Sequence, residues 1–234
     1  MKKQYAFILT FLFALAAVHS SDYPEIFLSG DATSTIDFNF KDDSFTQIGF
    51  GGDVDFSLMF SDSFGANVTV GFALPVIKAY EDYNIFSSDY DRWYQVNTFI
   101  GPIFAPIKTK RQMLSLVPAF AFSYEENSYE VIEKAASRRA YSERKDVYTN
   151  SDVKVGIGGK ISYDFFFKNG MFITSGLEAA YYFYHWTTAE DKFEFTRYLP
   201  YTYYRAATTS ESNKEYASTL SFKPFIGFGY RFKH

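Results

Sequence analysis

The stretch QIGFGGDVDFSLMF, residues 47–60, decides the fold. Ile48, Phe50, Val54, Phe56, Leu58 and Phe60 share one parity; Gln47, Gly49, Gly51, Asp53, Asp55 and Ser57 share the other. Successive side chains of a strand point to opposite faces, so this is a β-strand with a greasy side and a small, polar or charged side. After Ser61-Asp62-Ser63 the pattern resumes. Phe64, Ala66, Val68, Val70, Phe72, Leu74 and Val76 lie against Gly65, Asn67, Thr69 and Gly71. Two such strands joined by a short turn make a hairpin.

The same alternation runs over 26–40, 93–106, 112–125, 152–167, 171–186 and 216–232, which brings the strands to eight. In 152–167, Val153, Val155, Ile157, Ile161, Tyr163, Phe165 and Phe167 oppose Asp152, Lys154, Gly156, Gly158, Lys160 and Asp164. In 216–232, Leu220, Phe222, Ile226, Phe228, Tyr230 and Phe232 oppose Thr219, Ser221, Lys223, Gly227 and Arg231. The connections are 41–46, 61–63, 77–92, 107–111, 126–151, 168–170 and 187–215. From the second onward they alternate short and long. That sorting suits a transmembrane barrel with short periplasmic turns and longer external loops. The expected fold is therefore all-β: an eight-stranded antiparallel up-and-down transmembrane β-barrel over 21–234, with both termini periplasmic. Across Lys168-Asn169-Gly170, matching both alternations sets Phe167 against Met171 and Lys160 against Glu178 on the inner face. Five prolines strain this reading. Pro75 and Pro106 fall near strand ends, whereas Pro102, Pro118 and Pro224 do not, and local bulges are expected there.

Residues 1–20 read as a signal peptide for Sec-type export. Lys2 and Lys3 precede an apolar run from Tyr5 to Val18, ending in Val18-His19-Ser20. The run is too short for a spanning helix, which argues against a membrane anchor. Removing these residues takes two Lys from 23 basic and 27 acidic side chains, leaving a formal charge of −6. That excludes a general nucleic-acid binder. No cysteine is present, so there is no lipoprotein attachment, thiolate metal site or cysteine nucleophile. Phe (28), Tyr (20) and Trp (2) make up 21% of the chain. A lipid-facing wall with aromatic girdles absorbs that many rings more readily than a soluble core does.

The export signal, strand count, loop asymmetry and last strand together resemble the small outer-membrane barrels of the OmpA/OmpX/OmpW type. The most specific local feature is Phe222-Lys-Pro-Phe-Ile-Gly-Phe-Gly-Tyr-Arg-Phe232. Its alternating Phe228, Tyr230 and Phe232 look like the C-terminal signal read by the barrel-assembly machinery, although Lys233 and His234 follow where the family stops. The resemblance implies an outer-membrane location in a cell envelope of Gram-negative type, with membrane lipids and that machinery as partners. It leaves function open.

Asp31, Asp53, Asp55, Lys154, Lys160, Asp164, Glu178, Lys223 and Arg231 (with Asp37) are expected on the inner face as a salt-bridged lumen network. An eight-stranded barrel is barely wide enough for its own side chains, and the mixture of signs favours a plug over a conduit. No cofactor, metal site or catalytic motif is read. His185 is the one candidate base for a surface lipid-modifying enzyme; its parity puts it on the lipid side, where an aromatic-girdle role is the simpler expectation. The charged 126–151 connection extends a hairpin or forms a surface helix. With Tyr198, Tyr201, Tyr203 and Tyr204 of 187–215 it is a candidate surface for an external ligand or host molecule. The function expected is structural or surface-interacting; the alternative is a narrow porin-like channel or an entry route for small hydrophobic molecules.

Overall fold

The computed structural model describes residues 24–40, 45–80, 84–86, 90–137, 140–198, 203–215 and 218–232. The expected signal peptide and Lys233-His234 lie outside the described residues. Ten strands are present: β1 (Glu25–Asn39), β2 (Phe45–Met59), β3 (Phe64–Tyr80), β4 (Asn84–Phe86), β5 (Arg92–Lys108), β6 (Gln112–Ser137), β7 (Ala140–Phe166), β8 (Met171–Tyr198), β9 (Tyr203–Glu215) and β10 (Thr219–Phe232). Eight of them form a closed antiparallel ring in the order β10-β1-β2-β3-β5-β6-β7-β8, and β10 pairs with β8 to seal it. Closure leaves the ring no unpaired edge.

The parity read from the sequence holds around the ring as far as Phe183 of β8. On β2, Phe50, Val54 and Phe56 are exposed, while Gln47, Asp53, Asp55 and Ser57 are buried inside. The outer wall carries a band of exposed Phe, Ile, Leu and Val on every strand of the ring. Aromatic side chains edge the band at both ends. At one end Phe72 stacks on Tyr94 and Tyr94 meets Tyr124 at a tilt, each at 6.1 Å, and Tyr230–Phe232 (4.8 Å) and Phe64–Phe104 (5.5 Å) lie at the other.

Register follows from the tight turns. Gly170 adopts φ 87°, which favours glycine, and closes the β7–β8 turn. Phe165 then faces Ile173 and Lys160 faces Glu178.

Of the two readings of 126–151 the extended hairpin is the one observed, and two further expectations, on the prolines and on His185, are corrected. The connections 126–151 and 187–215 are mostly strand. β6 and β7 stay paired from Gln112/Phe165 to Ser137/Ala140, β8 continues beside them to Tyr198, and β9 adds a fourth strand to this extension. A surface helix is absent from the described residues there. Beyond the apolar band both faces meet water, so nothing forces alternation and the sequence carries no strand signature.

The prolines expected to cause bulges do not shift the register. Pro102 and Pro118 face each other across β5–β6, between the pairs Ile100↔Phe120 and Phe104↔Leu116. The ladder is interrupted there, and each proline still pairs on its other side, with Ala66 and Gly159. One gap thus absorbs two missing N–H donors. Pro224 sits in a similar gap against β1 and pairs with Leu177 of β8. The real irregularities lie elsewhere: at Ile48/Gly49 beside Pro75, at Phe104/Ile107 around Pro106, and at Val155/Gly156.

At the last of these, Val155 pairs with Tyr184 and Gly156 with Tyr182, so Phe183 is a bulged extra residue. It reverses the parity of β8 beyond it. His185 therefore faces Lys154 on the inner side, and the lipid-side placement is overturned.

The proline gap also lies in a row of small side chains along the outer wall. Ala66, Pro102, Pro118, Gly159 and Ala179 stand side by side on β3, β5, β6, β7 and β8. Two residues to one side runs a parallel row of Val68, Ile100, Phe120, Ile157 and Tyr181; two to the other, Phe64, Phe104, Leu116, Ile161 and Leu177. All ten of these flanking residues are exposed.

Candidate functional site

The lumen is filled in layers. At the short-turn end, Phe27, Met59, Ile103, Met113, Val117, Phe166 and Phe172 form a buried apolar cluster inside the ring. Its aromatic rings pack at 5.5–6.1 Å. These residues have inner parity, so parity was the signal for them. They resemble a soluble core because no water column need cross this end. Below the cluster Lys108 pairs with Glu25 at 2.7 Å. Arg231 places its guanidinium 4.4 Å from the centre of the Phe166 ring, a cation–π contact, and makes no ion pair among the described residues.

The middle layer holds the candidate network. Lys160 meets Asp55 at 2.6 Å and Glu178 at 3.3 Å; Lys223 meets Glu178 at 2.7 Å and Asp53 at 2.8 Å. Glu178 is fully buried and bridges the two ammoniums, giving an unbroken chain Asp55–Lys160–Glu178–Lys223–Asp53. Asn67 and Thr69 donate hydrogen bonds to Asp55 at 3.0 and 2.6 Å. Such support offsets part of the cost of taking these charges out of water. Both ammoniums also face rings, Lys160 over Phe225 at 4.5 Å and Lys223 over Phe99 at 5.3 Å. Asp31 and Asp164 are buried in the same region without an ammonium or guanidinium within 4 Å among the described residues; Ser29 donates to Asp31 at 3.4 Å. The two signs are thus less balanced than the sequence count suggested. A cavity of about 20 Å³ lies beside Asp55, Lys160 and Asp164, the size of one water.

Above this layer Phe99, Ala121, Ala180 and Tyr182 form a second buried apolar group. Lys154 is not part of the central chain. It pairs with Glu125 at 3.3 Å, and Glu125 also accepts from Trp93 Nε1 at 2.8 Å and Gln47 Nε2 at 3.2 Å. Glu125 was missed by sequence reading although it closes the 112–125 alternation on the inner parity. At the outer mouth His185 Nε2 lies 3.2 Å from Asp152 Oδ1, with Thr187 Oγ1 3.5 Å from the same nitrogen.

The second candidate site is the external sheet, made by the outer parts of β6, β7 and β8 with β9. From Glu125 to Ser137 this projection runs on the order of 40 Å along the strand. One face carries aromatic side chains: Tyr90 meets Trp93 at 5.1 Å and Tyr129 at 6.0 Å, and Tyr129 stacks on Tyr148 at 4.8 Å. A cleft of about 290 Å³ opens beside that stack, lined by Tyr129, Tyr148, Asn150, Glu190, Asp191 and Glu211 among others. Lys145 bonds Glu130 at 2.6 Å, and that hydrogen bond holds its ammonium above the usual lysine range. Arg144 pairs with Asp146 at 2.7 Å and lies over Phe193. Of the four tyrosines in 187–215, the described side chain is that of Tyr204, which is exposed.

No protein-family model and no curated relative matches the sequence. Solved structures do. A major outer membrane protein from Thermus thermophilus superposes with a TM-score of 0.50 at 13% identity, over 90% of this chain and all of that one. The attachment invasion locus protein Ail of Yersinia pestis gives 0.39 at 10% identity over 89% of this chain and 99% of its own. The outer membrane protease OmpT of Escherichia coli gives 0.39 at 10% identity over 92% and 100%. The chain has the fold of the small outer-membrane β-barrels, and at such identities the likeness concerns fold alone.

Proposed function

We propose that this protein is an integral outer-membrane barrel with a closed lumen, which works through the sheet that projects from its outer mouth. The apolar band supports the location, since soluble monomers rarely expose a continuous apolar surface of this extent. With the short turns in the periplasm, Glu25 and Phe232, at the ends of paired strands β1 and β10, lie on the periplasmic side. Phe228, Tyr230 and Phe232 then present an outward aromatic row as the assembly signal.

The observation that carries a non-conducting reading is the filling of the lumen from Phe27 to Glu125: apolar cluster, ionic chain, second apolar group, then the Glu125 cluster. A passive pore needs a continuous polar path, and the apolar cluster at the short-turn end interrupts it. The external cleft, with stacked tyrosines and the carboxylates of Asp191 and Glu211 beside a Glu190 that Lys192 already pairs at 3.2 Å, suits a cationic ligand. The test is conductance of the purified protein in planar bilayers. No openings above background are expected; reproducible unitary steps would establish the channel reading instead.

The lipid-modifying alternative rests on His185 and Asp152. Both face the lumen mouth and not the lipid. A headgroup would have to enter the mouth to reach them.

A further inference from the structure

We infer that the row Ala66, Pro102, Pro118, Gly159 and Ala179 is the floor of a binding groove for one acyl chain of a membrane phospholipid. The groove is built by register: five aligned positions on consecutive strands of the ring carry small side chains, and both flanking rows carry large exposed ones. Over its β3–β7 portion it forms a cavity of about 900 Å³ on the outer wall. Strands lie about 4.8 Å apart, so five span about 19 Å, the reach of an extended fatty acyl chain. Each ridge stands two residues away, about 7 Å along the strand, which leaves the width of one chain once the ridge side chains project.

The floor selects its occupant. At its centre Pro102 and Pro118 face each other, and neither has an N–H. The backbone at the other three positions is paired within the ring. A peptide strand would find no hydrogen-bond partners there and would leave its own backbone unsatisfied in hydrocarbon. A second copy of the barrel presents a convex wall that rests on the ridges and leaves the trough open. A flexible hydrocarbon chain needs no polar partner and fills it.

The direction of the groove also fits. Ala66 lies three residues from the Ser61-Asp62-Ser63 turn, whereas Ala179 lies eight from Met171 at the start of β8. The trough therefore rises from the short-turn rim towards the middle of the wall, the course of a chain whose headgroup sits at that rim.

The test uses the full mature barrel folded into vesicles of phosphatidylethanolamine and phosphatidylglycerol, extracted in mild detergent and weighed by native mass spectrometry. One phospholipid mass per chain is expected to survive detergent exchange. Ala66→Phe and Ala179→Phe, whose new rings point outward into the trough, should each lower its occupancy about tenfold. Ala32→Phe, at an exposed small position on β1 away from the trough, should not. Unheated gel mobility confirms that each variant is folded, and either trough variant alone suffices. Equal lipid retention in a folded trough variant and the Ala32→Phe control overturns the proposal. So does disulfide-linked dimer formation by Ala66→Cys in a chain that has no native cysteine, since it would place a second copy on the groove.

Discussion

Glu178 is the residue on which the lumen turns. It is fully buried and is shared by Lys160 and Lys223, each of which also holds an aspartate. Removing it leaves two buried ammoniums with one carboxylate each and a void between them. Glu178→Ala should lower stability by about 3–5 kcal/mol. Glu178→Gln, which keeps the volume and can still accept hydrogen bonds, should cost less. Urea unfolding in vesicles measures both, and wild-type stability for the alanine variant would mean that the bridge does not hold the layer together. This pair was legible in the sequence because a turn of three residues leaves little freedom of register, and Lys160 and Glu178 then fall opposite each other. Asp31 and Asp164 were legible as inner residues, but not as carboxylates that meet no ammonium or guanidinium among the described residues. Partnership across the lumen depends on which strands face one another through the ring, and one strand's alternation is silent on that.

At the scale of elements, the single bulge at Phe183 decides what the outer part of β8 shows to lipid and to water. A bulge of one residue between Tyr182 and Tyr184 has no sequence signature: all three are aromatic and either parity fits them. That is why His185 was read on the wrong face. Cysteine scanning has a clean background here. In vesicles, His185→Cys should react with a membrane-impermeant maleimide through the outer mouth, while Phe183→Cys and Trp186→Cys should be shielded. A shielded His185→Cys with a reactive Trp186→Cys would mean that the alternation of 171–186 runs unbroken; Phe183→Cys is the lipid-facing reference in either case. The projecting strands should also separate from the barrel. Asn127 and Asn150 are a facing pair on β6 and β7, so a short turn replacing 128–149 should leave the ring folded, with unheated gel mobility retained. Loss of that folded form would show that the projection is needed for closure. The sequence leaves its strand character open beside a helix, because paired strands that meet water on both faces obey no period.

For the whole molecule, architecture was far more legible than use. A ring in hydrocarbon must alternate, must close and must count its strands evenly, and each demand leaves a trace in the sequence. A binding surface has no such period. The cleft at Tyr129 and Tyr148 assembles side chains from several strands at once, and sequence distance conceals the assembly. The lipid-facing trough is hidden in the same way, since its five floor residues are spread from 66 to 179 and meet only through register.

The seam between first and last strands has a kinetic consequence. β10 is held on one side by β1 and on the other by β8, so Ile26 pairs with Phe232 and Lys223 with Glu178. Nearly the full length of the chain separates the first of those pairs, and contacts of such separation form slowly. Until the final strand arrives, β1 and β8 are both open edges, each a template for mispairing with another chain. A ribosome releasing this polypeptide therefore delivers an object that cannot finish folding until the residues of β10 emerge. Truncation there should produce not a slightly weakened barrel but one that never shuts.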